Sequence, residues 1–301
     1  MPSRPARAVL PLPLLLTLLT PLALVTGCAP ATAGQRPAAK EADVPAAPAV
    51  GEEARRLVLP FDAYAMSTPA IHTVESAEDV LIRGCMQAQG MSWKALPRPS
   101  GVDQDPPNRR RYGLVEADIA ARFGYHLPPE PPELTRRAAA WDERKNLPDR
   151  EQLAAFGRQG GGGCWKKAHD GLLRGITPAD QSLFNRRIGE EFSASKSDPE
   201  VVRVIRGWSA CMRENGFRYS SPLKVTGDAE WGKSSRPARR EIAVARADIR
   251  CKERTDLVPV WSGVEARMQN DVIRRHAEDF RVLKAEKDRW LAAARRVLDR
   301  E

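Results

Sequence analysis

The feature that most constrains the fold of this chain is a short cysteine-containing unit that occurs twice. Residues 85–93 read CMQAQGMSW and residues 211–219 read CMRENGFRY, so both follow C-M-x-x-x-G, then an apolar residue, any residue and an aromatic residue. A glycine in this position often ends a helix because it adopts positive φ without strain. In each unit we therefore expect the cysteine in the last turns of a helix, with the aromatic side chain folded back over the sulfur.

The cysteines outside the leader predict two disulfides. Each unit is followed by one further cysteine, Cys164 in the first half and Cys251 in the second. Four cysteines allow three pairings, and the repeat favours Cys85 with Cys164 and Cys211 with Cys251. Loop entropy does not choose, since all pairings give roughly 4 to 5 kcal/mol in the chain-entropy model. Zinc is the competing interpretation, but no C-x-x-C spacing occurs and the histidines are scattered, so we predict no metal and no cofactor.

The beginning of the chain has the pattern of a bacterial lipoprotein signal. Arg4 and Arg7 precede an apolar run over residues 9–25, which leads into T-G-C ending at Cys28. This pattern is typical of a secretory signal, and the residues before Cys28 resemble a lipobox, whose cysteine receives a diacylglycerol. We expect residues 1–27 to be a removed signal peptide and Cys28 to be lipidated. The alternatives are cleavage elsewhere and a permanent membrane helix, which the three prolines of the run disfavour.

After the signal, the composition predicts a tether and then one domain with few core-forming residues. Residues 28–55 are rich in alanine and proline and have no hydrophobic periodicity, as expected of a tether. Residues 28–301 carry a net charge of +7, and Leu, Ile, Val and Phe make up only 51 of these 274 residues. This apolar content is close to the range of disordered chains. We expect a domain over residues 56–301, with halves at about 56–176 and 177–301, in which disulfides compensate for a small core.

Apolar residues at helical spacing predict that this domain is all-α. No strand-like run longer than three or four residues occurs. Capping patterns place helix starts at Ser76, at Thr177-Pro178 and at Asp198-Pro199. Shorter helices are expected over residues 115–123, 132–143 and 148–156 and before Cys251, and surface loops over residues 94–110, 126–133 and 220–237.

The C-terminal part predicts one long helix from about Pro259 to about Leu298. Forty residues of helix span about 60 Å, more than a small core covers. We therefore expect part of this helix to pair with another helix or with another copy of the chain. Its charged faces are interpreted as solvated.

The sequence shows no catalytic constellation, and we do not expect an enzyme. Gly160-Gly161-Gly162-Gly163 lacks the Lys-Ser or Lys-Thr of a phosphate-binding loop, which favours a flexible linker. His169-Asp170 is the only adjacent histidine–acid pair, and no G-x-S-x-G motif accompanies it. Two glutamate pairs are interpreted as surface charge rather than as a glycan-cleaving pair: Glu130 with Glu133, and Glu190 with Glu191. The tryptophans beside the cysteines are interpreted as core: Trp93, Trp165 and Trp208.

Two basic clusters are interpreted as charges that serve solubility, and the alternative is an anionic partner in the cell envelope. Nucleic acid is not expected outside the cell, whereas anionic head groups and wall polymers lie close to an anchored protein. The clusters are Arg109-Arg110-Arg111 and the group Lys233, Arg236, Arg239 and Arg240.

These motifs resemble those of a group of actinobacterial lipoproteins and secreted proteins of unknown function. The shared features are the lipobox, the tether, W-x-x-C-M-x-x-x-G over residues 208–216, A-x-A-D-x-x-C-K over residues 245–252, and a charged C-terminal helix. The resemblance covers most of residues 57–301. It departs at Ile82, where the position three residues before Cys85 lacks the tryptophan. The resemblance implies location and fold, and it supplies no activity.

The leading hypothesis is therefore a lipid-anchored, non-enzymatic binding or scaffold protein on the outer face of the cytoplasmic membrane. A membrane contact through the lipid is expected, with an envelope polyanion or a protein as further partner. One alternative is a cell-wall-active hydrolase using an acid pair or His169. Another is a protein that self-associates or docks a partner through its C-terminal helix. The sequence predicts no oligomeric state.

Overall fold

The structure is a computed structural model that describes residues 48–158 and 161–301. This part of the chain is helical, with no β-strand, which confirms the predicted all-α class. Short 3-10 helices cover Pro60–Tyr64, Arg144–Asn146 and Ala229–Lys233. The α-helices are α1 Glu52–Arg55, α2 Thr68–Gln87, α3 Ala117–Phe123, α4 Pro132–Glu143, α5 Asp149–Phe156, α6 Gly163–Leu172, α7 Ser182–Ser195, α8 Pro199–Glu214, α9 Pro222–Thr226, α10 Arg239–Arg254, α11 Leu257–Arg275 and α12 Ala277–Leu298.

The predicted signal peptide, Cys28 and most of the predicted tether lie outside the described residues. The folded part begins before the expected boundary at residue 56. Val50 and Ala54 are buried, and the backbone N–H of Gly51 donates to Glu116 Oε1 at 2.7 Å. Residues 50–55 therefore belong to the fold and not to the tether predicted over residues 28–55.

One of the three predicted helix starts is correct. The Asp198 carboxylate accepts a hydrogen bond from the backbone N–H of Glu200 and caps α8. The other two were wrong. The long helix of the first half begins at Thr68, where Ser67 provides the N-cap. Helix α7 begins at Ser182, where Asp180 accepts from the backbone N–H of Ser182 at 2.8 Å.

The predicted single C-terminal helix is interrupted at His276, whose backbone leaves the helical region with φ −123° and ψ 36°. The break lets two successive helices face different neighbours. Helix α11 packs against α7, α8 and α10, whereas α12 packs along α2. Phe280, Leu283 and Ala294 of α12 are buried inside the molecule. The excess length that favoured pairing with another copy is therefore covered within the chain.

Helices of each sequence half pack against helices of the other half. Helix α12, from the end of the chain, packs on α2 and α6 of the first half. In the opposite direction, α3 packs on α10 of the second half. Each predicted half contains its own disulfide, but the packing crosses the boundary at residues 176 and 177.

Buried apolar side chains form a large core around the second disulfide and a smaller one around the first. The large core includes Trp208, Trp261 and Tyr112, which are less than 2% exposed. The core at the first disulfide is built on Ile82, Met86 and Trp93. Most of the buried apolar side chains therefore lie in the core around the second disulfide, and the first disulfide lies closer to the surface.

The irregular segments include groups that the packing needs. Within the segment 94–110 predicted as a surface loop, Leu96 and Asn108 are buried. Within the glycine run, Gly163 begins α6 at φ +65°, and a Cβ there would lie 2.6 Å from the carbonyl oxygen of Ala154. Glycine at this position allows the close approach of α6 to α5, which a flexible linker does not require. Gly160 lies outside the described residues.

Candidate functional site

Both predicted disulfides are present. Cys85 is bonded to Cys164 and Cys211 to Cys251, each with a Cα–Cα distance of 5.6 Å. The two repeated units also end their helices in the same way. In the first, the backbone N–H of Met91 donates to the carbonyl of Met86 at 3.0 Å beside Gly90.

In the second unit, the backbone N–H of Phe217 donates to the carbonyl of Met212 at 2.9 Å beside Gly216. The two glycines have φ of +71° and +84°. This six-to-one hydrogen bond closes a helix at a left-handed residue. The internal repeat is therefore a repeat of local structure.

The motif residues around the second disulfide form a buried polar network. Asp248 is fully buried, and its carboxylate accepts from Trp208 Nε1 at 2.9 Å, Tyr125 OH at 3.1 Å and Lys252 Nζ at 3.0 Å. Burial raises the pKa of Asp248 and lowers that of Lys252. The Lys252 ammonium also donates to the carbonyl of Leu114. Because every strong donor and acceptor is used internally, the network serves the structure of the core.

An equivalent network lies at the first disulfide but is assembled from different positions. Asp79 accepts from Trp93 Nε1 at 2.8 Å and from the backbone N–H of Leu96 at 2.6 Å, and it forms an ion pair with Arg144. Ile82 occupies the position that corresponds to Trp208. The indole therefore comes from the last residue of the unit in the first half and from three residues before the unit in the second.

The first network forms one wall of a cleft lined by three tryptophans, Trp141, Trp165 and Trp290, which we call the tryptophan cleft. It has a volume of about 310 Å³ and lies between α2, α4, α6 and α12. Trp141 is 47% exposed at its rim, and the Arg144 guanidinium lies 5.1 Å from its ring centre. About half of the other lining residues are apolar, among them Ile71, Val74 and Ile82.

A carboxylate and a histidine face each other in this cleft. Glu78 Oε1 lies 2.7 Å from His169 Nδ1. Burial raises the pKa of Glu78, while the hydrogen bond to His169 opposes that shift. The His169 ring stacks on Trp165 at 5.3 Å and meets Trp290 edge to face at 5.4 Å. The histidine is thus held between two aromatic rings with Glu78 at one ring nitrogen.

The indole N–H of Trp290 is a hydrogen-bond donor without a partner. Among the buried side-chain nitrogen and oxygen atoms of the described residues, this is the case for Trp290 Nε1 and Arg187 Nε. A buried donor left without a partner costs about 1–3 kcal/mol. The indole of Trp290 is also one of the walls of the cleft.

Comparison with protein families, with curated proteins and with solved structures finds no significant match for the chain. The site must therefore be interpreted from its own geometry. Within residues 48–158 and 161–301, no three His, Cys, Asp or Glu side chains are grouped as metal ligands. None of the helices in this part of the chain has the length and hydropathy of a membrane span.

The arginines of the first basic cluster have partners within the protein. Arg109 is ion-paired with Glu116, and Arg111 with the fully buried Glu265. Arg110 turns to the backbone carbonyls of the segment after α3. These arginines hold irregular segments onto the helices, so their charge is used inside the molecule.

The second predicted basic cluster stays at the surface. Lys233 is ion-paired with Glu230 of the same 3-10 helix. The three arginines of the cluster are not buried, and none of them takes part in an ion pair within the described residues: Arg236, Arg239 and Arg240. This cluster lies far along the chain from the tryptophan cleft and lines none of its walls.

A larger recess of about 530 Å³ lies beside the second disulfide core. Two of its charged groups are paired within the protein, and no aromatic side chain lines it. Lys252 is held by Asp248 and Leu114, and Arg56 is ion-paired with Glu52. The tryptophan cleft differs because it combines aromatic walls with a donor that has no partner, and we therefore take it as the candidate site.

The structure places some of the candidate residues from the sequence in the core, some at the surface and some in the cleft. Trp93 and Trp208 are core residues as expected, whereas Trp165 lines the cleft. Glu190 is ion-paired with Arg187, and Glu133 accepts a hydrogen bond from Ser100. Neither glutamate lines the cleft. Sequence reasoning missed Glu78, Trp141 and Trp290. Only the i, i+4 spacing of Trp165 and His169 was visible, since the other groups come together from distant helices.

Proposed function

We propose that the protein is a lipid-anchored, non-enzymatic binding protein of the cell envelope and that its ligand occupies the tryptophan cleft. The lipobox at Cys28 supports the anchor, and two disulfides favour a compartment outside the cytoplasm. The observation that carries the binding function is the unpartnered Nε1 of Trp290 in a cleft with aromatic walls.

The chemistry of the cleft fits a neutral, ring-shaped ligand with both polar and apolar faces. Aromatic side chains offer flat apolar surface, which suits the C–H face of a pyranose ring. Trp290 Nε1 has no acceptor within the protein, and the Glu78 carboxylate, which contacts His169 through Oε1, can accept a further hydrogen bond at its other oxygen. An N-acetylated sugar supplies both through its amide and hydroxyl groups, whereas a quaternary ammonium ion supplies no acceptor. We therefore propose an N-acetylated glycan as the ligand class.

The test is calorimetric titration of the full chain, carrying Cys28→Ala to remove the lipid site, with soluble N-acetylglucosamine oligomers. Trp290→Phe keeps an aromatic ring and deletes the N–H donor, so binding should weaken about tenfold, as expected for one lost hydrogen bond. Trp141→Ala should weaken binding by a similar factor. Leu127→Ala removes an exposed apolar side chain outside the cleft and should change nothing. No heat of binding with any oligomer would overturn the glycan assignment.

Anchoring is tested separately. Cys28→Ala should release the protein from membranes into the medium with its fold intact. Retention of this variant on the membrane would contradict a lipid anchor. The two tests are independent, because glycan binding does not require the lipid.

A cell-wall hydrolase is the second candidate, and the raised pKa of Glu78 beside His169 favours it. The neighbouring acids are already engaged, Glu75 by Arg137 and Asp79 by Arg144. A catalytic pair would have to be Glu78 and His169 alone. Release of shorter glycans, abolished by Glu78→Gln while binding persists, would establish turnover. The binding proposal expects intact oligomers.

A further inference from the structure

Helices α6 and α12 have a second cavity on the side of the first disulfide. Its volume is about 420 Å³, and Cys85 and Cys164 line it. Four cations also line it, from α6 and the turn after it and from the end of α12: Lys167, Arg174, Arg296 and Arg300. We call this cavity the basic groove.

The positive charge of the basic groove is not compensated by the described part of the protein. None of its four cations takes part in an ion pair there, and no carboxylate lines the groove. The contrast with neighbouring residues is direct. Lys166, one residue before Lys167, is ion-paired with Asp170.

Two acids flank Arg300 in the sequence, and neither of them, Asp299 or Glu301, lines the groove. The Glu301 carboxylate, next to Arg300, is ion-paired with Arg83 and Arg98. A concave site lined by charges of one sign concentrates its field and attracts counter-charge from solution. An anionic ligand is therefore the expected partner of this groove.

The shape and lining of the groove restrict that ligand further. Arginine guanidinium groups match the paired oxygens of phosphate. The floor between the cations is aliphatic, with Leu81, Leu172 and Val297, and no aromatic side chain lines it. Such a floor suits a short aliphatic or polyol linker between phosphates and offers no stacking surface for a nucleobase.

We propose that the basic groove binds a phosphodiester polymer with an aliphatic or polyol backbone. The groove is a recess lined by α2, α6 and α12, so a flexible chain can enter it, whereas the flat surface of a bilayer meets only its rim. This site is separate from the tryptophan cleft, since no residue lines both cavities. It differs from both basic clusters considered at the level of sequence.

The test is binding of a fluorescently labelled glycerol-phosphate oligomer to the full chain carrying Cys28→Ala, followed by anisotropy. The oligomer should bind, and affinity should fall as salt rises. Inorganic phosphate should bind far more weakly, and polyglutamate of matched length should bind more weakly because carboxylates are spaced differently. Equal binding of polyglutamate would overturn the assignment to phosphodiester and indicate general attraction of anions.

Two double variants separate the groove from overall charge. Arg296→Gln with Arg300→Gln should weaken oligomer binding at least about tenfold. Arg203→Gln with Arg289→Gln removes the same charge from exposed arginines outside the groove and should change affinity less than about twofold. Equal losses in the two variants would overturn the proposal. Thermal melts that match those of the parent chain exclude unfolding as the cause.

The membrane is tested with vesicles of phosphatidylglycerol and of phosphatidylcholine. Vesicle binding that depends on Arg296 and Arg300, without oligomer binding, would overturn the polymer proposal in favour of a lipid surface. Trp141→Ala should leave oligomer binding unchanged. Failure of the glycan proposal would therefore leave this result standing, and the reverse also holds.

Discussion

The two disulfides occupy the same local structure but very different surroundings. Each contains the cysteine of a C-M-x-x-x-G unit, and each unit ends its helix with the same hydrogen bond. Cys211 and Cys251 are at most 2% exposed inside the larger core. Cys85 is only partly buried and lines the basic groove together with Cys164.

The comparison shows that the C-M-x-x-x-G unit determines how its helix ends and where its cysteine lies. The neighbouring helices determine how far solvent reaches the disulfide. Around the second disulfide, α3, α8, α10 and α11 pack into one core that includes Cys211 and Cys251. Around the first, α12 packs on α2, and two clefts remain next to α6. Both candidate binding sites lie in the less covered part of the molecule.

The largest expected difference concerns removal of each disulfide. Cys211→Ala with Cys251→Ala should lower the free energy of unfolding by about 4 kcal/mol, because the loop constraint on the unfolded chain is lost. The cavity left in the core should lower it by about a further 1–2 kcal/mol. Cys85→Ala with Cys164→Ala should cost about 4–5 kcal/mol with little cavity term. Urea unfolding measures both. A larger loss for the first pair would contradict the burial difference.

The same contrast predicts the order of reduction. Under graded dithiothreitol, followed by thiol alkylation and peptide mass spectrometry, Cys85 and Cys164 should be labelled before Cys211 and Cys251. Thiol exchange requires access to a sulfur atom, and only the first disulfide lines an open groove. Simultaneous labelling of all four cysteines would indicate global unfolding and would break the comparison.

The buried aspartates provide the next test. Asp248→Ala leaves the ammonium of Lys252 buried without its counter-ion and should cost about 3–5 kcal/mol. Asp79→Ala should cost less, about 2 kcal/mol, because Arg144 lies at the cleft wall and its guanidinium can turn to water. Denaturant unfolding of both variants gives the difference. Equal losses would show that the first network is as closed as the second.

The helix-ending glycines should respond equally. Gly90 and Gly216 have positive φ, and an added Cβ would meet no atom within 4 Å at either position. Gly90→Ala and Gly216→Ala should therefore each cost about 1 kcal/mol, from backbone strain alone. Thermal unfolding measures these values. Unequal costs would mean that the two units differ even in their local structure.

The smallest effect concerns pH at the second core. Hydrogen bonds from the ring of His126 to the Ser234 carbonyl and the Glu241 carboxylate raise the pKa of His126 above 6.5. Because the folded pKa exceeds the unfolded one, this stabilisation is complete below about pH 6.5 and is lost as the pH rises through the folded value. Melting temperatures from pH 5.5 to 8.5 should fall more steeply for the parent chain than for His126→Gln. Parallel curves would contradict this contact.

Much of the local structure could be predicted from the sequence. The C-M-x-x-x-G unit and the Asp198 cap are contacts within a few residues, so their patterns are sufficient. The break at His276 also has a local signature, since Arg274 and Arg275 end α11 and Glu278 and Asp279 begin α12. Such charges favour helix ends through the helix dipole, and apolar periodicity alone obscured them.

The candidate sites could not be predicted in the same way. Trp141, Trp165 and Trp290 come from three helices separated by long stretches of chain. The basic groove likewise joins α6 to α12. Nothing in the local sequence indicates that α12 returns to α2, because its apolar face would fit several partners equally well.

The sequence by itself determined the helical class, the two disulfides and the helix-ending units, because these depend on spacing and on short-range contacts. Only the tertiary structure decided which charges are buried in pairs and which remain free in the basic groove. It also decided which tryptophans fill the core and which line a cleft. The physical reason is that burial and charge compensation depend on the packing of distant helices, and the order of residues along one helix does not specify that packing.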